Sequence, residues 1–229
     1  MRGVLFEVKG KLAHFRKPDT TSTQMTYPFI TPTAVKGMVG AILGIEDFVT
    51  KDKIGVQILN PVKTVAQQLS MLGNDGGTMF NRPTSIELII NPAYRIYYAG
   101  EENVDLLITS LEKNHSVYHT YLGAAYALTT PLLIETYQDV KPVDWVDNYL
   151  ETKAVVPTVL IKELQLSNKH HFCRAGGFLY EYKGNRTFDK SIDFIYEQEG
   201  KVISFLPSNG SVEIDAKIAS FQGEVVCLF

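Results

Sequence analysis

The chain has 229 residues, a formal net charge of −3 and 45% hydrophobic residues, a composition typical of a folded protein with one large domain or two small ones. Its two cysteines, Cys173 and Cys227, lie in no motif, so we expect neither a disulfide framework nor a structural zinc, and a reducing cytoplasm is the simplest setting. No apolar run approaches the ~20 residues of a membrane span, and Met1 leads directly into a strand-like segment, which predicts neither a signal peptide nor a membrane anchor.

The charge is unevenly distributed along the chain. Residues 1–40 hold six lysines and arginines against two acidic residues, a local net charge of +4, whereas residues 101–163 hold four against ten, a net charge of −6. Phosphate contacts need a local positive surface rather than a basic protein as a whole, so this pattern favours nucleic-acid contact by the N-terminal part. Chance scatter of solvated charges is the alternative.

The first predicted elements are a strand, a basic loop and a helix. Residues 3–9 alternate as in a strand, residues 15–18 form the loop, and Thr31-Pro32 supplies an N-cap and a proline at the first helical position. An apolar stripe then extends to Leu43. Three glycines occupy the opposite side of this helix: Gly37, Gly40 and Gly44. Each costs about 1 kcal/mol of helix propensity relative to alanine. We therefore expect a close approach there, by the same fold or by a partner subunit.

The middle of the chain predicts four strands and one long connection. The strands are residues 54–60, 62–69, 84–90 and 93–99, and the connection is residues 70–83. A connection of this length is usually functional or disordered, and its glycines predict a mobile tip. It carries four apolar residues that could contact a partner: Met71, Leu72, Met79 and Phe80.

A second helix and another strand complete a βαββαβ pattern. Asn103 is the expected N-cap of the helix, and residues 132–138 form the strand. We take residues 62–90 as an inserted β-hairpin, the thumb. The remaining elements then follow the order of a ferredoxin-like (RRM-like) α+β domain. RRM domains bind nucleic acid on an open face of their sheet. Later residues read as short strands separated by turns, and these strands are residues 154–160, 177–182, 192–196, 202–206, 212–218 and 223–229. We predict two units, residues 1–145, which bind RNA, and residues 146–229, a smaller antiparallel β unit.

The order of these parts resembles the CRISPR-associated Cas-five family of the RAMP superfamily. The resemblance rests on the first strand, on Phe15-Arg16-Lys17-Pro18 and on residues 32–44, with weaker matches at residues 94–98 and 121–123. It covers about the first 140 residues well and the last 90 loosely, and its form looks most like the type I-B branch.

The resemblance implies a role in antiviral defence. A subunit of this kind is a non-catalytic, cytoplasmic member of a type I interference complex (Cascade) and holds the 5′ handle of the guide RNA (crRNA). Its thumb would fold over the guide. The expected protein partners are the Cas-seven type backbone subunit and the large subunit, and a separate nuclease would process the precursor.

The candidate binding residues combine cations, hydroxyl groups, aromatic rings and a helix start. Cations beside a flat ring suit single-stranded RNA, and a helix N-terminus attracts anions. The RNA-binding candidates are Phe15, Arg16, Lys17, Thr31, Thr33, Lys36, Arg82, Tyr121 and Gly123. The partner-binding candidates are Gly37, Gly40, Gly44, Met71, Leu72, Met79 and Phe80. The alternatives are a solvated basic loop with Phe15 in the core and an ordinary capped helix with an exposed Lys36.

Catalysis is the alternative function. His119 could act as a general base beside Tyr118 or Tyr121 in a metal-independent endoribonuclease that processes CRISPR precursor RNA. Some type I-C relatives of the resembled family use a Tyr-Lys-His set, but the residue before His119 is a tyrosine here. His115 and His119 lack an acidic third ligand, and no phosphate-loop, dinucleotide or serine-nucleophile motif is present. We therefore expect no metal, cofactor or small-molecule substrate. A third alternative is a β-rich assembly protein without RNA contact.

Overall fold

The computed structural model describes residues 1–20, 22–143, 147–208 and 214–229. These residues form two α-helices, α1 (Pro32–Leu43) and α2 (Val104–Glu112), and one 3-10 turn at Thr158–Leu160. No helix in this part of the chain has the length and apolar character needed to cross a membrane.

Short strands make up most of the remaining regular structure. In the N-terminal part they are β1 (Arg2–Lys9), β2 (Leu12–Ala13), β3 (Thr23–Gln24), β4 (Lys53–Ile58), β5 (Thr64–Asp75), β6 (Thr78–Ile90), β7 (Ala93–Gly100) and β8 (Leu132–Tyr137). In the C-terminal part they are β9 (Lys141–Pro142), β10 (Leu150–Thr152), β11 (Val156–Pro157), β12 (Ile161–Leu164), β13 (Phe172–Leu179), β14 (Tyr182–Gly184), β15 (Thr187–Phe188), β16 (Ser191–Glu197), β17 (Ile203–Pro207), β18 (Lys217–Phe221) and β19 (Glu224–Leu228).

A four-stranded sheet forms the centre of the molecule, with the strand order β4-β7-β1-β8 and antiparallel pairing throughout. Helix α1 lies between β1 and β4 in the chain, and α2 lies between β7 and β8. Strand β1 has a neighbouring strand at each edge, and its side chains are buried on both faces of the sheet, as Phe6 and Leu5 show. The predicted α+β class is confirmed.

Both faces of the central sheet are covered. Val35 of α1 and Leu107 of α2 belong to the core that packs on one face. On the other face, Leu5 and Tyr97 pack beneath C-terminal strands, and the Tyr97 ring centroid lies 5.0 Å from that of Phe221 in β18. The expectation of an open sheet that receives nucleic acid, as in an RRM, is therefore wrong, because the C-terminal strands bury this apolar surface.

The predicted thumb exists, but its predicted long connection does not. Strands β5 and β6 pair continuously from Thr64↔Ile89 to Asp75↔Thr78. Only Gly76 and Gly77 form the turn, with φ angles of 56° and 92° that suit a two-residue hairpin loop. Residues 70–83 are thus mostly strand, because all of them except the two turn glycines have a cross-strand partner in the register, despite the polar side chains.

The two helix starts differ from each other. Thr31 caps α1 as predicted, since its hydroxyl accepts a hydrogen bond from the Ala34 N–H at 3.1 Å. Asn103 is the N-cap residue of α2, as predicted, but its side chain makes no capping hydrogen bond. The buried Asp52 carboxylate replaces it and accepts the backbone N–H groups of residues 101–103 at 2.8–3.0 Å. A carboxylate also stabilises the positive end of the helix dipole.

Short antiparallel pairings dominate the C-terminal part, as predicted. The strands expected near residues 192–196 and 223–229 are confirmed as β16 and β19. The strand expected at residues 177–182 has other bounds, because β13 spans Phe172–Leu179 and β14 begins at Tyr182. The predicted boundary near Trp145, and the first residues of the strand expected at 212–218, lie outside the described residues.

The proposed division into two units remains a prediction. Aromatic rings from both parts share one core, in which Phe29 packs against Phe178 of β13 and Phe194 of β16, with centroids 5.0 Å and 5.6 Å away. Rings this close contribute more than their buried area alone. The C-terminal part is therefore packed directly against the segment that enters α1.

Candidate nucleic-acid interface

A cleft of about 360 Å³ lies beside α1 and is called the α1 cleft here. Three segments form most of its lining, residues 15–18, residues 31–41 of α1 with its cap, and residues 119–123, and Tyr27 and Leu179 complete it. The predicted RNA-binding residues that meet in it are Phe15, Arg16, Thr31, Thr33, Tyr121 and Gly123. Tertiary structure therefore brings together six of the nine candidates.

The basic loop folds back on residues 25–27, which fixes the directions of its two cations. The backbone N–H of Lys17 donates to the Met25 carbonyl oxygen at 2.9 Å, and the Tyr27 N–H donates to the Phe15 carbonyl oxygen at 2.7 Å. Successive residues of an extended segment point to opposite sides. Arg16 accordingly lines the α1 cleft, whereas the Lys17 ammonium lies 5.9 Å from the Tyr27 ring centroid and lines a different groove.

Phe15 is a core residue rather than a free stacking platform. Its side chain is only 3% exposed, and its ring meets that of Tyr94 edge-on at 6.2 Å. The proposal that this ring stacks on an RNA base is therefore not supported, and the alternative in which Phe15 lies in the core applies. Burial of this ring anchors the loop and leaves Arg16 exposed beside it.

The glycines of α1 have different roles. A Cβ atom on Gly37 would meet no atom within 4 Å, so this position is an open floor of the α1 cleft. A Cβ on Gly40 would lie 2.8 Å from Phe48, and one on Gly44 would lie 2.9 Å from Val117. The close approach predicted at Gly40 and Gly44 is thus made by the protein's own side chains, and a partner is not needed to explain it.

The turn that carries Tyr121 and Gly123 is fixed to both the loop and the helix. Gly123 has a φ angle of 81°, and a Cβ there would lie 2.7 Å from the Phe15 ring and even closer to the His14 carbonyl oxygen. Only glycine fits such a site. The backbone N–H of Tyr118 donates to the carbonyl oxygen of Ala41 near the end of α1. Tyr121 is thereby held over the cleft with 47% of its side chain exposed.

The residues of the catalytic alternative are divided between two clefts. His119 and Tyr121 line the α1 cleft, whereas Tyr118 lines a neighbouring groove together with His115 and His119. His119 is exposed and makes no hydrogen bond or ion pair within the described residues, so nothing there orients its imidazole. No group of three potential metal ligands occurs in the described part of the chain.

Lys36 lies apart from Arg16. It lines a second cleft, of about 370 Å³, on the other side of the segment that contains Leu179 and Tyr180. Burial lowers the pKa of its ammonium to about 8, and the charge of nearby Lys53 acts in the same direction. Lys53 itself pairs with Asp215 at 2.8 Å. Arg16 and Lys36, both RNA-binding candidates, therefore line two separate clefts.

The hairpin presents two different faces. Cross-strand partners share a face, and the register pairs Met71 with Arg82. Phe80 lies on that same face, whereas Leu72 and Met79 lie on the opposite one. All five side chains are exposed, from 39% at Met71 to 71% at Leu72. The sequence predicted the exposed apolar residues but not this separation, which depends on the register.

Fold and surface together define an α+β protein with a cationic cleft and a protruding hairpin. Residues 3–109 match the family model described as CRISPR-associated protein (Cas_Cas5). Over residues 3–109 the chain thus matches the CRISPR-associated Cas-five family, in agreement with the sequence resemblance. A search of curated proteins gives no significant match.

Two solved structures share the fold over most of their length. A chain of a structure titled "CRISPR RNA-guided surveillance complex" is 13% identical, with 90% of this chain and 91% of that chain covered at a TM-score of 0.58. A CRISPR protein from Archaeoglobus fulgidus is 14% identical, with 99% of both chains covered at a TM-score of 0.56. At these identities the likeness concerns the fold.

Proposed function

We propose that this protein is the guide-RNA-binding subunit of a type I CRISPR interference complex and that it holds the 5′ handle of the crRNA. The observation that carries the proposal is the meeting of Arg16, the α1 start and Tyr121 in one cleft of a chain that matches the Cas-five family. The type I-B form and the ferredoxin-like ancestry of the central sheet belong to the same proposal.

The chemistry of the α1 cleft suits a single RNA strand. Arg16 is exposed and has no carboxylate partner within the described residues, so its guanidinium is free to contact phosphate. The hydroxyl groups of Thr33 and Tyr121 can bind sugar or base edges, and the exposed Tyr121 ring offers the flat surface that Phe15 does not. Gly37 leaves room for a nucleotide to approach the helix closely.

We propose that one face of the hairpin contacts the guide RNA and that the opposite face contacts a neighbouring subunit. The Phe80 ring packs over Gly73, which has no side chain to displace it, and Arg82 lies two residues along on the same face. This aromatic and cationic combination favours contact with RNA. The apolar Leu72 and Met79 on the opposite face favour contact with protein, for which the Cas-seven type backbone subunit is the proposed partner. The large subunit would bind elsewhere on the chain.

The second candidate is a metal-independent endoribonuclease. The observation in its favour is that His119 and Tyr121 line the same cleft as Arg16. General base catalysis needs a positioned imidazole near the attacking hydroxyl, but His119 has no orienting partner within the described residues. Non-catalytic binding is therefore the preferred function.

One experiment separates the two functions. The purified protein is incubated with end-labelled RNA of the host's CRISPR repeat, without added metal, and analysed on native and denaturing gels. We expect a retarded band on the native gel and an intact RNA on the denaturing gel. Arg16→Ala should weaken the retarded band, whereas Lys162→Ala, a matched loss of an exposed charge on β12, should not. Site-specific cutting would support the enzyme, and the absence of any complex would contradict RNA binding.

A further inference from the structure

The largest of the grooves around the basic loop has no role in the function proposed above. It encloses about 660 Å³ at the base of the hairpin and is called the hairpin-base groove here. Three cations from distant parts of the chain line it: Lys17 of the basic loop, Lys63 just before β5, and Arg174 of β13. No local pattern in the sequence indicates that Lys63 and Arg174 lie close to the basic loop.

The electrostatic balance of this groove leaves positive charge without internal partners. Lys17 and Lys63 form no ion pair within the described residues. Its lining residues include a single acidic side chain, Glu87, against the three cations, so the lining keeps a net positive charge. Glu87 also accepts the backbone N–H of Thr26 at 3.1 Å. Many lysines of the C-terminal part are instead paired with carboxylates, as Lys190 is with Glu181. The groove is therefore suited to an external anion.

Arg174 is held at the groove by a bulge in β13. The register of β13 against β16 shifts between Ala175 and Phe178, and the Gly177 N–H released there donates to Asp193 at 2.9 Å. The other oxygen of Asp193 accepts from the Arg174 guanidinium at 2.7 Å. The Arg174 side chain is still 69% exposed, so most of its N–H donors remain free. Bulges often direct a side chain towards a binding site in this way.

The groove adjoins the α1 cleft, with Tyr27 between them. Arg16 and Lys17 are adjacent residues that point into the cleft and the groove respectively, and Tyr27 lines both. A flexible polyanion lying in the cleft would reach the groove by passing over this ridge. From there the base of the hairpin is adjacent, because Thr64 and Ile90, at the two ends of the hairpin, also line the groove.

We propose that the hairpin-base groove is a second RNA subsite. In it, Lys17, Lys63 and Arg174 bind the phosphates of the strand that continues from the α1 cleft towards the hairpin. This inference rests on the proposed function and adds that the C-terminal part contacts the RNA directly, through Arg174. Single-stranded RNA fits better than an acidic peptide, because the groove is open and adjoins a cleft that can accept a polyanion.

The test measures the salt dependence of binding to a fluorescein-labelled repeat RNA by anisotropy. For a single strand, removing one cation that binds a phosphate reduces the slope of log affinity against log salt by about 0.7. The double variant Lys63→Gln/Arg174→Gln should thus lower the slope by about 1.4 and weaken binding by roughly tenfold at moderate salt. Arg174→Lys, which keeps the charge, should restore about half of the missing slope when combined with Lys63→Gln.

The matched control is Lys141→Gln/Lys162→Gln, which removes two exposed charges from β9 and β12, away from the groove. A wild-type slope in the groove variant, or an equal decrease in the control, would overturn the subsite. If Arg16→Ala still weakened binding in that case, the proposed function would stand. Unchanged RNA binding with failed assembly would assign the groove to an acidic partner protein, and no binding by wild type would remove both proposals.

Discussion

The phenolic hydroxyl of Tyr27 donates a hydrogen bond to the carbonyl oxygen of Gly177, which is 150 positions further along the chain. The Tyr27 ring also packs on that of Phe178, with centroids 4.2 Å apart. The residue that closes the basic loop is therefore tied directly to the β13 bulge. This contact joins the proposed RNA surface of the N-terminal part to the C-terminal strands.

The first prediction concerns the hydrogen bond between the Tyr27 hydroxyl and the Gly177 carbonyl oxygen. Tyr27→Phe should lower the free energy of unfolding by about 1 kcal/mol, because the Gly177 carbonyl loses its donor while the ring packing stays. Thermal unfolding followed by circular dichroism measures the change. Tyr149→Phe is the control, since its hydroxyl bonds to Glu163 at the exposed surface and its removal should be nearly neutral. Equal stability of the two variants would contradict a structural role for the Tyr27 hydroxyl.

The second prediction concerns phosphate contact by the basic loop. Arg16→Ala/Lys17→Ala should weaken binding of repeat RNA, because neither side chain forms an ion pair within the described residues and both charges are available to phosphate. The salt slope should fall by about 0.7 for each phosphate that is no longer bound. Salt titrations by fluorescence anisotropy give the slope. An unchanged slope and affinity would remove this loop from the RNA surface.

The third prediction is that the protein does not cut the repeat RNA. His119→Ala should leave the RNA products unchanged, because the exposed imidazole has no partner within the described residues to orient it as a base. Denaturing gels of labelled repeat RNA, run without added metal, provide the measurement. Specific cutting by the wild type that disappears in this variant would make the endoribonuclease the correct function.

The fourth prediction concerns the hairpin tip. Replacing residues 72–79 by a short glycine linker should leave the fold intact, since Leu72 and Met79 are exposed, and should impair assembly of the interference complex. Hydrogen exchange should be fast at the tip of the free protein and slow in the complex. Thermal unfolding and co-purification of partner subunits check the two parts. Normal assembly of the deletion variant on guide RNA would make the tip ordinary surface.

Variants that change only one face of the hairpin test the two proposed contacts separately. Leu72→Ser/Met79→Ser should impair contact with a partner subunit while free RNA still binds, and Phe80→Ser should show the reverse. The register places these side chains on opposite faces, so each variant serves as the control for the other. If both variants behaved alike, the separation of roles between the faces would be wrong.

The fifth prediction concerns pH. Burial and Lys53 lower the pKa of Lys36 to about 8, below its value in the unfolded chain, so its charge destabilises the fold at pH values below about 8. This loss of folding free energy should disappear as the pH rises from about 8 to about 10.5, because Lys36 then loses its proton in both the folded and the unfolded chain. Lys36→Met should therefore gain stability over wild type at pH 7 and lose that gain at pH 10, as chemical unfolding curves at both values would show. A pH-independent difference would contradict the shift.

The sequence by itself determined the local elements of this protein. Alternation predicted β1, strand-forming composition predicted β4 and β7, and Thr31-Pro32 with the apolar stripe predicted α1 almost to the residue. These signals are local, because a helix cap, a proline and the period of the apolar residues act within one or two turns of the chain. The family resemblance of the N-terminal part depended on the same short segments.

Only tertiary structure decided which of those residues form the candidate site. Phe15 and Tyr121 are both aromatic residues in loops, but the first is buried against Tyr94 and the second is exposed over the cleft. The alternate sides taken by Arg16 and Lys17 also depend on how their segment pairs with residues 25–27. Burial of a side chain is a property of all its neighbours, and most of these are distant in the chain.

The features that the sequence did not predict also depend on contacts between residues that are distant in the chain. Asp52 binds the backbone at the start of α2 from 51 positions earlier in the chain, and Arg174 reaches the basic loop only because β13 packs beside Tyr27. Nothing in the local sequence marks Asp52 for this role, and nothing there places Arg174 beside the basic loop. The sequence therefore determined the elements and their order, while long-range packing decided which charges are satisfied inside the fold and which remain free for a partner.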